Sequence, residues 1–126
     1  RLAPYTAERT EGSRFVFWPQ NQGLILTNCG MDVTSVEINP FVVDLCKKNT
    51  AINSLDDETR VLEGSLYSPL RDDSCFSLVV VNPPLLPIPD EIPYPFVGDG
   101  GQSGLDITLH ILKGGDTHLE ENTKYC

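Results

Sequence analysis

The order of hydrophobic and polar positions predicts several strands. Val33–Ile38 is rich in β-branched residues, Thr59–Glu63 is a further short segment centred on Val61 and Leu62, and Phe76–Val81 is a nearly continuous apolar segment. All three are typical of strands, and the nearly continuous run at Phe76–Val81 is typical of a strand buried on both faces. Gly23–Thr27 is also short and apolar, and we predict a strand there too.

A helix is predicted between the strands at Val33–Ile38 and Thr59–Glu63. Asn39 and Pro40 are typical of a helix start, because asparagine caps free backbone amides and proline fits the first turn. The predicted helix runs from Pro40 to Ile52. The residues predicted to face the core are Phe41, Leu45 and Ile52, and the residues predicted to face solvent are Asp44, Lys47, Lys48 and Asn49.

The remaining segments differ in composition from the predicted strands and from the helix at Pro40–Ile52. Residues 1–22 are predicted as an irregular cover over one end of the core. Residues 83–104 contain six prolines and four glycines, which predicts a long loop. Residues 105–112 are predicted as a short helix that stops at Lys113–Gly115, and residues 116–126 as a polar tail.

This order of elements predicts one α/β domain over residues 1–126, with a mostly parallel sheet and flanking helices. A length of 126 residues fits a single domain. In such sheets ligands bind beyond the carboxyl ends of the strands. The residues that follow each strand are therefore the candidates for function.

Composition narrows the classes of partner. Nine Lys and Arg against 18 Asp and Glu give a net charge of −9, which disfavours nucleic acid because binding to phosphates depends on basic residues. No apolar run approaches the roughly 18 residues of a membrane span, so a soluble, cytoplasmic protein without a membrane partner is predicted. The cysteines lack the spacing of a zinc site. We predict no metal site and four free thiols, at Cys29, Cys46, Cys75 and Cys126.

Two strand ends carry candidate chemistry. Glu37 closes one strand, and a carboxylate there can accept hydrogen bonds from both hydroxyl groups of a ribose; the alternative is a solvated or capping acid. Asn82-Pro83-Pro84 follows another strand. The prolines fix the backbone so that the Asn82 amide oxygen and a neighbouring carbonyl can hold both hydrogens of an –NH₂ group. The alternative is a turn that only ends the strand.

Together these motifs resemble those of the class I S-adenosylmethionine-dependent methyltransferases, which have a Rossmann-like fold. The resemblance rests on Val33–Pro40, Glu63–Leu66 and Phe76–Pro84, and it extends from about residue 15 to residue 115. It is strongest for the N-P-P subgroup, which includes the glutamine N5-methyltransferases of release factors and ribosomal proteins and the amino-methylating adenine enzymes. Phe17–Gln20 resembles the segment before the first strand of that family, and Leu112–Gly115 resembles a turn before a later strand.

The resemblance implies S-adenosylmethionine as the cofactor and assigns residues to it. Glu37 would bind the ribose and Ile38 would pack on the adenine. Ser65 stands where the family often has an aspartate near the adenine amino group, and Leu66 would offer a backbone amide. Gly30 is the glycine that remains of the family's glycine-rich loop.

The resemblance also assigns the acceptor side. Asn82 and Pro83 would hold the nitrogen to be methylated, and Pro84 completes this catalytic motif; Asn82 also borders the cofactor. Leu85 stands where the subgroup has Tyr or Phe, which weakens the case for a nucleobase and favours a protein side chain or a small molecule. The further substrate-binding candidates, in the predicted lid, are Tyr94 and Phe96.

One departure from the family is large. The glycine-rich loop and the helix after it are missing between the predicted strands at Gly23–Thr27 and Val33–Ile38, and parallel neighbours need a crossover of about ten residues. Three interpretations remain open. Residues are missing from this sequence between Leu26 and Val33, the natural protein has lost the loop and helix, or the two strands form an antiparallel hairpin. The first is favoured because everything downstream keeps the family spacing.

Two functions follow from these observations. The leading prediction is a methyltransferase that transfers a methyl group to a nitrogen of a protein side chain or small molecule. The alternative is a non-catalytic, methyltransferase-like binding or partner subunit without a competent cofactor loop. A third interpretation is a different Rossmann-like nucleotide-binding protein. The oligomeric state is left open.

Overall fold

In the computed structural model, which describes residues 14–18, 20–95 and 98–125, five parallel strands form one sheet. The strands are β1 (Arg14–Trp18), β2 (Asp32–Glu37), β3 (Thr59–Glu63), β4 (Phe76–Val81) and β5 (Leu119–Tyr125). Their order across the sheet is β3-β2-β1-β4-β5. The helices are α1 (Gln20–Asn28), α2 (Pro40–Ile52) and α3 (Asp106–His118). The predicted α/β fold with a parallel sheet is confirmed.

Several predicted elements match the structure closely. α2, β3 and β4 have the predicted bounds, and β2 is shifted by one residue. The Asn39 side chain accepts a hydrogen bond from the amide of Phe41 at 3.0 Å, so it caps α2 as predicted. Residues 83–95 and 98–104 form a loop without regular strands or helices. Strong local signals, a capped helix start and apolar strands, account for this agreement.

The N-terminal part of the prediction is wrong. Arg14–Trp18 is the central strand β1 and not part of an irregular cover, so Phe17 and Trp18 end the first strand and do not precede it. Gly23–Thr27 lies within α1 and not in a strand. Thr27 Oγ1 donates to the carbonyl of Gly23 one turn earlier, and this bond fits a helix.

α1 also corrects the interpretation of the missing crossover. It is the helix that joins β1 to its parallel neighbour β2, so the hairpin interpretation is wrong and a first helix is present. β1 ends at Trp18 and α1 begins at Gln20, and the sequence from residue 14 to residue 22 contains no glycine that could form a glycine-rich loop.

α2 packs on the sheet with a different face from the predicted one. Val43, Cys46 and Thr50 are buried, whereas Phe41 is 83% exposed and Ile52 is 80% exposed. Both sets of residues have helical spacing, so the pattern alone did not decide between them. The predicted core face is wrong because the smaller side chains, and not the larger ones, face the sheet.

The C-terminal prediction is also wrong. α3 does not stop at Lys113–Gly115 but continues to His118, and the predicted polar tail forms β5. Gly115 is buried within the helix. β5 pairs with β4 in parallel, starting from Leu119 opposite Phe76. The predicted helix stop is wrong because Gly114 and Gly115 pack within α3 and do not end it.

The core lies on both faces of the sheet. Val36, Phe76 and Val79 form one buried cluster, and Val33 centres a second cluster that includes Leu26 of α1. These residues come from β2 and β4, on either side of β1. The core therefore fixes the relative positions of the two strands that carry the candidate residues.

Candidate functional site

The carboxyl ends of three neighbouring strands bring the main candidates into one row. Phe17 of β1 is opposite Ser35, and Trp18 is opposite Val81. Glu37 of β2 is opposite Glu63 of β3. Phe17 is also opposite Val80 of β4, so Ser35, Phe17 and Val80 form one row, and Glu37 and Asn82 each come two residues after it. β2 and β4 lie on either side of β1, two strand spacings or about 10 Å apart.

Glu37 lies at the end of β2 with one carboxylate oxygen engaged. Its Oε1 accepts a hydrogen bond from the backbone amide of Asn39 at 2.9 Å. This bond fixes the side chain beside the start of α2, and Oε2 accepts no bond from the described part of the chain. Burial, and secondarily the negative charge of Glu37, raises the pKa of the Cys46 thiol. The Glu37 carboxylate therefore acts electrostatically on the core side of α2.

The turn after β3 lies beside Glu37. The amide of Gly64 donates to the carbonyl of Glu37 at 2.9 Å, which extends the β2–β3 pairing into the turn. Within the turn, the Ser65 amide donates to Ser68 Oγ at 3.0 Å. Leu66 has a φ of +51°, in the left-handed region that residues with a Cβ seldom adopt. Non-glycine residues in this conformation are concentrated at functional sites.

Asn82-Pro83-Pro84 begins the loop after β4. Asn82 is exposed, and Pro83 and Pro84 are half-buried. Further along, two hydrogen bonds tie the halves of the loop together. Leu86 donates to the carbonyl of Gly98 at 3.2 Å, and its own carbonyl accepts from Gly100 at 2.9 Å. The loop is therefore folded back on itself beside the N-P-P motif.

The predicted substrate-side residues have different surroundings. Leu85 is 55% exposed next to the N-P-P motif. Tyr94 is partly exposed, and its ring lies so close to Gly98 that a Cβ there would be 2.7 Å from Tyr94 Cε1. Tyr94 thus anchors the loop, and an additional contact with substrate stays a prediction. Phe96 lies outside the described residues.

The structure does not bring Gly30 to the other cofactor candidates. Gly30, with a φ of +84°, lies in the turn between α1 and the amino end of β2, whereas Glu37 lies at the carboxyl end of β2. β2 has six residues, so about 20 Å of strand separates them. Ile38 directly follows β2 and is partly exposed at the functional edge.

A residue without any distinctive sequence pattern also borders this edge. Tyr67 follows Leu66 in the turn after β3, and its hydroxyl donates to the carbonyl of Ile111 in α3 at 3.0 Å. In the sequence, the signal that could have indicated Tyr67 is an aromatic residue just after the end of a predicted strand. The turn is therefore joined to a helix that the sequence places more than 40 residues away.

Across residues 14–18, 20–95 and 98–125, no cluster of three His, Cys, Asp or Glu side chains could hold a metal ion. Cys29, Cys46 and Cys75 have free thiols. No helix within the described ranges has the length and apolar character to cross a membrane. The carboxyl edge of the sheet thus remains the candidate site.

Comparison of the sequence with known proteins finds glutamine methyltransferases. A release factor glutamine methyltransferase from Aquifex aeolicus is 29% identical over 96 residues, which cover 70% of this chain and 34% of that protein. A ribosomal protein uL3 glutamine methyltransferase from Bradyrhizobium diazoefficiens is 27% identical, with coverages of 69% and 30%. The chain thus spans about a third of the length of these relatives. No profile of a known protein family matches the chain.

Solved structures confirm the fold. The methyltransferase domain of an N-terminally shortened METTL16 superposes with a TM-score of 0.65 and 17% identity, covering 90% of this chain and 55% of that one. The N-terminal domain of human METTL16 gives a TM-score of 0.61 and 19% identity, with coverages of 86% and 44%. The chain is thus similar in sequence to the glutamine methyltransferases and shares its fold with the methyltransferase domain of METTL16.

Proposed function

We propose that the chain is part of an S-adenosylmethionine-dependent methyltransferase that methylates a nitrogen of a protein side chain. The observation that carries this proposal is the row at the carboxyl edge, in which Glu37 and Asn82-Pro83 lie on either side of the end of β1. A ribose-binding carboxylate and a nitrogen-holding amide must face one space for a methyl group to pass between donor and acceptor. β2 and β4 are two strand spacings, or about 10 Å, apart, which leaves room for the donor beyond the end of β1.

The residues at the ends of β2 and β3 fit the adenosine part of the cofactor. Glu37 is held by Asn39 through Oε1, and its Oε2 is available to a ribose hydroxyl group. Ile38 offers a partly exposed apolar side chain to the adenine ring. Leu66, in its left-handed conformation, would offer its backbone amide, and Ser65 would lie near the adenine amino group.

Asn82, Pro83 and Pro84 would bind the acceptor. When bound, S-adenosylmethionine supplies a methyl group that is already activated by its sulfonium. The chain's task is then mainly positioning, which can account for a large part of a rate enhancement. The Asn82 amide oxygen and the Pro83 carbonyl accept the two hydrogens of the –NH₂ group and aim its lone pair. The nitrogen becomes acidic as it gains the methyl group and releases one of its two protons to water, so no strong base is required.

A protein side chain is the acceptor that the available observations support best. The relatives are named for glutamine methylation of a release factor and of a ribosomal protein. Leu85 offers an exposed aliphatic side chain next to the N-P-P motif, where a planar nucleobase would favour an aromatic residue. The net charge of −9 further disfavours a nucleic-acid acceptor.

One observation supports a second candidate function. Residues 14–22, which run from β1 into α1, contain no glycine, so the sequence lacks a glycine-rich loop at the end of the central strand. A methyltransferase-like subunit that binds a partner but catalyses no reaction would tolerate the loss of this loop. The two candidates differ in whether the chain binds the cofactor at all.

Calorimetric titration of the chain with S-adenosylmethionine and with S-adenosylhomocysteine tests the proposal. We expect both compounds to bind, and we expect the Glu37→Ala variant to bind them more weakly. A folded chain that releases no heat with either compound would refute the enzyme and favour the partner subunit. An exposed substitution away from the edge, Lys47→Ala, serves as the matched control.

A further inference from the structure

We infer that Tyr67 is a positioning residue that holds the turn Gly64–Leu66 in the conformation that receives the adenine. This inference rests on the proposed function, because that function makes the turn part of the cofactor site. Tyr67 lies outside the site motifs, and its role follows from the contacts between the turn and α3.

The turn needs support because of Leu66. A residue with a Cβ is disfavoured at a φ of +51°, and it keeps such a conformation only where its surroundings impose it. On the upstream side, the bond from Gly64 to the carbonyl of Glu37 fixes the turn to β2. On the downstream side, Ser65 and Ser68 bond to each other within the turn. Tyr67 lies between them in sequence and ties this half of the turn to another element, the helix α3.

Tyr67 is anchored to α3 by three contacts. Its hydroxyl donates to the carbonyl of Ile111 at 3.0 Å. Its ring stacks on His118, with 5.1 Å between the ring centroids and 11° between the planes. The other contact is with Gly114, where an added Cβ would overlap the ring carbons of Tyr67. Gly114 and His118 are one helical turn apart, so they lie on one face of α3.

His118 is itself fixed, which makes the stacking surface rigid. It is 8% exposed, and its Nδ1 lies 3.0 Å from the carbonyl of Ser74. A carbonyl can only accept, so Nδ1 carries the hydrogen and donates it. Ser74 belongs to the same β3–β4 connection as Tyr67. α3 therefore binds this connection at two points, and Tyr67 is the point next to the cofactor turn.

The same helix also reaches the acceptor side. The amide of Asp106, in the first turn of α3, donates to the carbonyl of Gly100 at 3.0 Å, and Gly100 in turn bonds to Leu86. α3 thus contacts the loop after the N-P-P motif at its start and the cofactor turn in its later half. Tyr67 links the cofactor turn to the element that supports the acceptor loop.

The test uses substitutions that alter the anchoring without altering the turn itself. Tyr67→Phe removes the bond to Ile111 and keeps the ring, and Gly114→Ala drives a methyl group into the ring. We expect the Kd for S-adenosylhomocysteine to rise about three- to tenfold in Tyr67→Phe, as for one lost hydrogen bond, and by more in Gly114→Ala. In methyl transfer, we expect KM for the cofactor to rise with kcat nearly unchanged.

Two controls separate positioning from general stability. Lys113→Ala alters an exposed neighbour in α3 and should leave Kd unchanged. Thr27→Val removes buried hydroxyl bonds to Gly23 and Thr59, at the amino end of β3 and away from the turn. It should lower the denaturation midpoint and leave Kd unchanged. If Tyr67→Phe behaves like Thr27→Val, Tyr67 is merely structural and the inference is overturned.

A measurement without cofactor keeps this inference separate from the proposed function. Hydrogen exchange of the amides at residues 64–68 should be faster in Tyr67→Phe and Gly114→Ala than in the unsubstituted chain and in both controls. If the unsubstituted chain binds neither compound, the proposed function fails, and the exchange of this turn alone decides whether Tyr67 fixes it. Unchanged exchange would overturn the inference even in a chain that binds the cofactor.

Discussion

The ends of β2 and β4 differ sharply from the end of β1, although all three meet at one edge of the sheet. β2 ends in Glu37, held by Asn39, and β4 is followed by the N-P-P motif and a loop bonded to itself. Between them, β1 ends at Trp18, α1 begins at Gln20, and residues 14–22 contain no glycine. In the proposed function, the ends of β2 and β4 would bind the adenosine and the acceptor, whereas the end of β1 offers no glycine-rich turn to the rest of the cofactor. The roles of the three strand ends can therefore be tested separately.

The largest expected effect comes from the end of β4. Asn82→Ala removes the amide oxygen that we propose to hold the acceptor nitrogen, and we expect kcat to fall about 100-fold or more because attack then lacks orientation. The Kd for S-adenosylhomocysteine should change only a few-fold. Single-turnover transfer and calorimetry measure the two quantities. Equal loss of both would assign Asn82 a structural role.

The end of β2 should affect binding before it affects transfer. Glu37→Ala leaves a ribose hydroxyl group without its acceptor, and we expect cofactor binding to weaken by about 1–3 kcal/mol. Calorimetry with S-adenosylhomocysteine measures this change. Because Glu37 also bonds to Asn39, Glu37→Gln is the matched variant that keeps an acceptor oxygen there. Unchanged affinity in both variants would remove Glu37 from the site.

A smaller effect distinguishes the end of β1 from its neighbours. Without a glycine-rich turn there, the amino-acid part of the cofactor gains few backbone contacts. We therefore expect 5′-methylthioadenosine, which lacks that part, to bind within about threefold of S-adenosylmethionine. Competition calorimetry compares the two ligands. A much tighter Kd for S-adenosylmethionine would mean that the β1–α1 connection does bind the amino-acid part.

The smallest expected effect concerns the charge of Glu37 and the Cys46 thiol. Burial, and to a lesser extent Glu37, raises the pKa of Cys46 above its ordinary value of 9.0. The folded state therefore retains this proton where the unfolded state loses it. This contribution to stability is complete below pH 9 and declines as pH rises above it, by at most about 1.4 kcal/mol per pH unit.

Denaturant unfolding between pH 8 and pH 10 measures this decline. Cys46→Ala should make the decline shallower, and Glu37→Gln should do so by less, because burial remains the larger cause. A steeper decline in Cys46→Ala would contradict the assigned direction of the pKa shift.

The predictions from sequence succeeded where a local signal was decisive. The Asn39 cap and Pro40 fixed the start of α2, and the apolar run Phe76–Val81 fixed β4. They failed where tertiary packing chose between equivalent patterns. Gly23–Thr27 has the composition of a strand but lies in α1, and Gly114 looks like a helix stop but accommodates the ring of Tyr67. Contacts between distant segments decide such cases, and no local pattern contains them.

The site was predictable to a similar extent. Glu37 and Asn82 follow strands that the sequence reveals, so their shared edge could be anticipated from the rule for parallel sheets. The position of Gly30 could not be predicted because the segment before it, Gly23–Thr27, was predicted as a strand and is part of α1. Gly30 lies at the amino edge of the sheet, opposite the edge that carries Glu37 and Asn82. Tyr67 was missed because its contacts with Ile111 and His118 span more than 40 residues. The roles assigned to the site residues remain predictions for the variants above.

The central position of β1 has a consequence for synthesis of the chain on the ribosome. Phe15 of β1 pairs with Leu78 of β4, and 78 − 15 = 63 residues separate them. At about 5–20 residues per second, roughly 3–13 seconds pass before the partner strand has been synthesised. During that interval one edge of β1 is open to pairing with other chains. Chaperone supply during translation should therefore influence the yield of folded chain more than it would for a sheet built from consecutive hairpins.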